Sequence, residues 1–208
     1  MVLVLLVSAF ASGCATKAIQ VNVPQQTKAD VIKGYVTIKE VNDLRKFEKS
    51  PIKPSVPSIE GDLIEDKKLT DKIIGRMRHG LYHKALWNYT IKGEGDIYDV
   101  SREIVTGSLA SAGYVTVVAG DENFDKALPV AIDVLQFWAW MQPKFTIDLI
   151  FDGEIRVRSL DPQKSLDVNA KGKHMFSTSF AGGKAWTTLV EEGVKDLDKN
   201  LVLMFKGK

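Results

Sequence analysis

Residues 130–143 read "VAIDVLQFWAWMQP". Along a regular strand, Val130, Ile132, Val134, Gln136, Trp138 and Trp140 share one face, and Ala131, Asp133, Leu135, Phe137, Ala139 and Met141 the other. A strand with one wet face alternates apolar with polar residues. Here both faces turn apolar after Gln136. Two arrangements satisfy that pattern. Another stretch of the chain folds over the second face, or two indoles stand open on it. In the second case Trp138 and Trp140, beside Gln136, lie on the sheet face away from the two helices at 96–112 and 183–205 and form the centre of a partner-binding surface, because tryptophans are frequent interface anchors.

The neighbouring stretches place this strand in a sheet. Residues 145–159 and 165–179 read as the next two strands, with turns marked by Gln142-Pro143 and Asp161-Pro162. Short links of this kind suit an antiparallel meander. Residues 183–205, "GKAWTTLVEEGVKDLDKNLVLMF", carry Trp186, Leu189, Val190, Val194, Leu197, Leu201 and Phe205 at helical spacing, with Glu191, Lys195 and Asp198 between. Upstream, residues 96–112 form a second amphipathic helix. Asp96 caps it, Asp99 stands three residues on in a capping-box position, and Gly113 ends it. Strands are expected at 31–41, 72–78, 84–91 and 114–119. Residues 49–58, "KSPIKPSVPS", hold three prolines and form a loop. The expected fold is α+β, a mostly antiparallel sheet with two helices packed on one face.

The chain has 208 residues, 45% hydrophobic and 26% charged, which suits one globular domain. A net charge of +2 gives no electrostatic case for nucleic acid. The single cysteine, Cys14, excludes an intrachain disulfide. Its setting is informative. "MVLVLLVSAFASGC" is a short apolar run followed by small residues and the thiol, the pattern of an export signal, and too short for a spanning helix. It resembles the bacterial lipobox, in which the cysteine is lipidated and becomes the mature N-terminus. On that resemblance residues 1–13 are a lipoprotein signal peptide. Residues 14–29 are a lipidated N-terminus and tether, and residues 30–208 a single periplasmic domain. An Asp directly after the cysteine would favour the inner membrane; Ala15 and Thr16 point to the outer membrane.

"IIGRMRHG" (73–80), "LASAGY" (109–114), "IDVLQFWAWMQP" (132–143) and the C-terminal helix together resemble the YajG-type bacterial lipoproteins. More distantly, they are similar to the auxiliary lipoproteins of ABC-type lipid transporters. The likeness covers roughly residues 69–205 and consists of hydrophobic pattern. It implies an envelope compartment and no reaction.

Chemistry-bearing residues are sparse. His79 and His83 are four apart with Gly80 between them, and His174 stands alone; none reads as a metal ligand. Gly93-Glu94-Gly95 is too short for a phosphate loop. No nucleophile-elbow sequence is present. Asp133, mid-strand, reads as a strand-edge or a network residue. The expectation is a non-enzymatic, lipid-anchored interaction module without cofactor or metal. It would meet an envelope protein or a second copy of itself, and touch the membrane through Cys14. The alternative is an accessory lipoprotein holding an acyl chain in an enclosed pocket between sheet and helix.

Overall fold

A computed structural model describes residues 15–25, 27–79 and 85–208. Among them are eight strands and three α-helices. In chain order they are β1 (Thr16–Ile19), β2 (Gly34–Asp43), α1 (Lys67–Lys72), β3 (Ile73–Arg78), β4 (Ala85–Ile91), α2 (Ile97–Ser111), β5 (Tyr114–Thr116), β6 (Leu128–Pro143), β7 (Ile147–Ser159), β8 (Val168–Thr178) and α3 (Gly183–Lys206).

β6, with 16 residues, organises the sheet. Its first half pairs with β2 and its second half with β3, both along one edge, while β7 runs the full length of the other edge. β5 lies outside β2, β4 and then β1 lie outside β3, and β8 lies outside β7. The sheet is mixed, which corrects the expected, mostly antiparallel arrangement. β1/β4, β2/β5, β2/β6 and β3/β6 are parallel, whereas β3/β4, β6/β7 and β7/β8 are antiparallel. The physical reason lies in the connections. Parallel neighbours need long crossovers: β2 meets its parallel partners β5 and β6 only after the chain has built α1, β3, β4 and α2, and β1 meets β4 only after β2 and β3. The meander holds only for β6–β7–β8.

α2 and α3 cover one face. Their buried residues, among them Ile104, Leu109, Trp186, Leu197 and Phe205, join Val130, Ile132, Val134, Phe137, Ala139 and Met141 of β6 in one core. That set cannot share a face on a regular strand. The pairing of β6 with β7 shifts between Val134 and Gln136, so a β-bulge at Leu135 inserts one residue and exchanges the faces. The unbroken alternation expected for 130–141 is corrected accordingly. Val130, Ile132 and Val134 continue into Phe137 and Ala139, while Ala131 and Asp133 continue into Trp138 and Trp140.

The caps of α2 follow the sequence. The Asp96 side chain accepts from Tyr98 N at 2.9 Å and Asp99 N at 3.2 Å, and the Asp99 side chain accepts from Asp96 N at 3.3 Å. Gly113 has φ +97°, and a Cβ there would meet the Val31 carbonyl at 2.7 Å. Only glycine suits that position.

Residues 15–25 are not a tether. β1 is the edge strand beside β4, and Ile19 and Val21 belong to the main core. Val21 and Ile19 pack with α3's face because β1 runs under that helix's side of the sheet. Among the described residues the fold is engaged from Ala15 onward, and Cys14 lies outside them.

Candidate functional site

Trp138 and Trp140 lie on the face away from α2 and α3, as the sequence suggested, but they are not open. Trp138 is fully buried and Trp140 nearly so. They form a second, smaller core with Ile59, Ile73 and Ile150, flanked by Phe47, Ile64 and Leu69. The proline-rich segment is its lid. Trp138 Nε1 donates to the Pro54 carbonyl at 3.1 Å, and Gln136 Nε2 donates to the Ser55 carbonyl at 3.2 Å. Phe47 meets Trp138 edge to face at 6.0 Å. The three residues expected to bind a partner are thus occupied by the chain itself. Two apolar faces on one strand are resolved here by a lid.

Two arginines, Arg76 and Arg78, fasten that lid, and a third, Arg45, braces the chain leading into it. Arg78 Nη1 donates to the Pro51 carbonyl at 2.7 Å, and its Nη2 to Ser58 Oγ at 2.6 Å. Arg76 pairs with Glu60 at 3.0 Å. Arg45 is bidentate to Asp43, donates to the Ile73 and Thr70 carbonyls at 2.7 and 2.9 Å, and lies against the Phe47 ring. Burial, with the Arg76 charge beside it, pulls the Arg78 pKa down, and Glu60 opposes that. Sequence reasoning missed these side chains. The signal was the Arg-x-Arg alternation at 76 and 78, in a strand otherwise built of apolar residues.

Asp133 is the network residue anticipated. It is buried and accepts from Asn42 Nδ2 at 3.0 Å, from Arg156 Nε and Nη2 at 3.1 and 2.7 Å, and from Arg158 Nε at 3.1 Å. Burial pushes its pKa upward, and the hydrogen bonds from Asn42, Arg156 and Arg158 outweigh that, holding the carboxyl below the ordinary aspartate value. Three of these donors converge on Oδ2 and one on Oδ1, so the carboxylate ties β2, β6 and β7 together. The histidines do not converge. His79 is half-buried, His174 lies on β8 tilted against Phe176 at 6.0 Å, and His83 is outside the described residues. Among the described residues no three His, Cys, Asp or Glu side chains group as a metal site.

An open groove lies elsewhere, beside the edge strand β5. It has a volume of about 470 Å³ and is lined by Ala29, Ile32, Thr106, Ala110, Tyr114 and Val115, among others. The segment leading into β2 forms its second wall, held by Ala29 N to the Ala110 carbonyl at 3.1 Å and Lys33 N to the Gly113 carbonyl at 2.7 Å. Val31, Ile32, Val115 and Val118 are large apolar residues left exposed around it. Thr116 Oγ1 is buried at the groove without a hydrogen-bond partner. Among the described residues no strand pairs with the outer edge of β5.

No protein family model matches the chain, and no curated protein does. Solved structures similar to it include a Xanthomonas campestris protein of the family DUF330, at 14% identity, covering 93% of this chain and 97% of that one, with a TM-score of 0.49. Another is an uncharacterized protein at 9% identity, covering 92% and 98%, with a TM-score of 0.46. Neither likeness identifies a family for this chain.

Proposed function

We propose that the protein is a lipid-anchored, non-enzymatic interaction module on the periplasmic side of the bacterial outer membrane, of the YajG type. Cys14 carries the lipid, and the groove beside β5 receives an extended apolar segment of an envelope protein. The observation that carries this reading is the coincidence at one edge of three features: an open groove, exposed Val and Ile side chains, and a strand whose outer edge pairs with no strand among the described residues. Strand addition meets all three, because main-chain hydrogen bonds supply affinity and side-chain pockets supply selectivity. The alternative, an acyl carrier, needs an enclosed cavity between sheet and helices. There, a methyl group on Gly193 would overlap the Phe151 ring, and one on Gly172 would overlap Leu197. Packing of that closeness leaves this reading without support.

In-cell photocrosslinking from position 115 tests the proposal. A benzophenone residue replacing Val115 should capture a discrete envelope protein. The same residue at Gln163, an exposed hairpin position, should not. Equal capture from both positions, or capture of lipid alone at 115, would count against the groove.

A further inference from the structure

One end of the molecule gathers three large apolar side chains on three separate loops. Phe145, at the tip of the β6–β7 hairpin, is 106% exposed; Phe180, between β8 and α3, is 80% exposed; and Ile52, in the proline-rich lid, is 93% exposed. The registers bring these loops to the same end. Pro143 pairs with Ile147, and Ile147 with Thr178, so both connections leave the sheet side by side. β3 runs parallel to β6 with Arg76 beside Trp140, so Arg78 reaches the level of the hairpin tip. Arg78 in turn holds the Pro51 carbonyl next to Ile52. The chain's N-terminal side leaves from this end as well. β1 is parallel to β4, Thr16 pairs with Asn88, and Asn88 N donates to the Ala15 carbonyl at 3.1 Å. β4 starts at Ala85, the hairpin end, so Ala15, bonded to Cys14, stands at the level of the loops.

We infer that this end docks on the phospholipid surface, with Phe145, Phe180 and Ile52 entering the boundary between headgroups and acyl chains. The inference rests on the proposed lipidation of Cys14. If the anchor leaves the body at Ala15 with no tether between, the apolar loop tips are brought to the bilayer. Exposed lysines stand on the same loops: Lys53 beside Ile52, Lys184 close after Phe180, and Lys144 beside Phe145, its ammonium paired with Asp148 at 2.6 Å. Single apolar residues on loop tips with cations beside them suit a lipid interface, where the ring is buried and the ammonium meets phosphate. They do not form the contiguous flat patch typical of a protein interface. The opposite hairpin, β7–β8, carries Asp161, Pro162, Gln163 and Lys164 at its tip, and neither of its two leucines, Leu160 and Leu166, is exposed as the three loop-tip residues are. The 13 residues of β7 separate the two hairpins by about 40 Å.

The test uses the full lipidated protein in vesicles of phosphatidylethanolamine and phosphatidylglycerol. Phe145→Cys and, separately, Gln163→Cys each receive a fluorescent thiol label. Cys14 is the sole native cysteine and is blocked by its thioether. The mass of the N-terminal peptide is read in the same preparation. The label at 145 should be quenched by lipid-borne nitroxide more than by aqueous iodide, and the label at 163 should show the reverse order. Phe180→Cys should follow 145. If Cys14 is acylated and the label at 145 behaves like that at 163, the inference is overturned while the anchor stands. A label at 145 shielded from both quenchers marks a protein contact or a second copy and also overturns it. An unacylated Cys14 removes anchor and docking together.

Discussion

At the residue scale, Trp138 decides how the second face is read. Its indole is fully buried, donates to Pro54 and meets Phe47 edge-on. Trp138→Ala should therefore cost roughly 3–5 kcal/mol, as for other large aromatics cut from a core. The urea midpoint should fall with the slope unchanged. A loss of under about 1 kcal/mol, the range of surface substitutions, would mean that the ring is open. The sequence showed that both faces of this strand turn apolar after Gln136. It did not show which residues kept company. Leu135 carries no mark of a bulge, since no glycine or proline interrupts the run. An alternation counted straight through therefore grouped Val130 with Trp138, which the bulge places on opposite sides. Asp133 was legible as a network residue because a carboxylate in the middle of an apolar strand must be paired to be buried. Its partners on β7, Arg156 and Arg158, follow only from strand pairing.

At the element scale, the segments with local signals were legible. The capping box of α2, the glycine that ends it and the amphipathic period of α3 all act within a few residues of each other. Parallel pairing was not legible, because it depends on where crossovers return the chain, and the sequence around β2 and β3 carries no register signal. The lid combines both kinds of information. Three prolines predict a loop, while its location is set by Arg76 and Arg78, two residues apart on β3. Arg78→Ala leaves the Pro51 carbonyl without its donor and removes the shorter of the two arginine bonds to Ser58. Lost hydrogen bonds to a charged group cost roughly 1.5–3 kcal/mol. The expected result is selective. Amides of residues 51–59 should exchange faster and proteases should cut there first, while α2 and α3 keep their protection. Uniform loosening of the whole domain would show that lid and sheet unfold as one unit.

At the scale of the whole molecule, the account assigns opposite ends to different tasks. The loop tips with Phe145 and Phe180 meet lipid, while the groove beside β5, along the first half of β6, is presented to a partner. Among the described residues no helix is long and apolar enough to cross a membrane. Everything in this arrangement is referred to the anchor proposed at Cys14, because among the described residues the sheet begins at Thr16. The measurement that reaches this claim most directly is the mass of the N-terminal peptide of the mature protein, isolated from the membrane fraction of cells that make it. The account predicts a chain beginning at Cys14, with a diacylglyceryl thioether on its sulfur. An unmodified thiol at Cys14, or a mature chain that begins at any other residue, would contradict it.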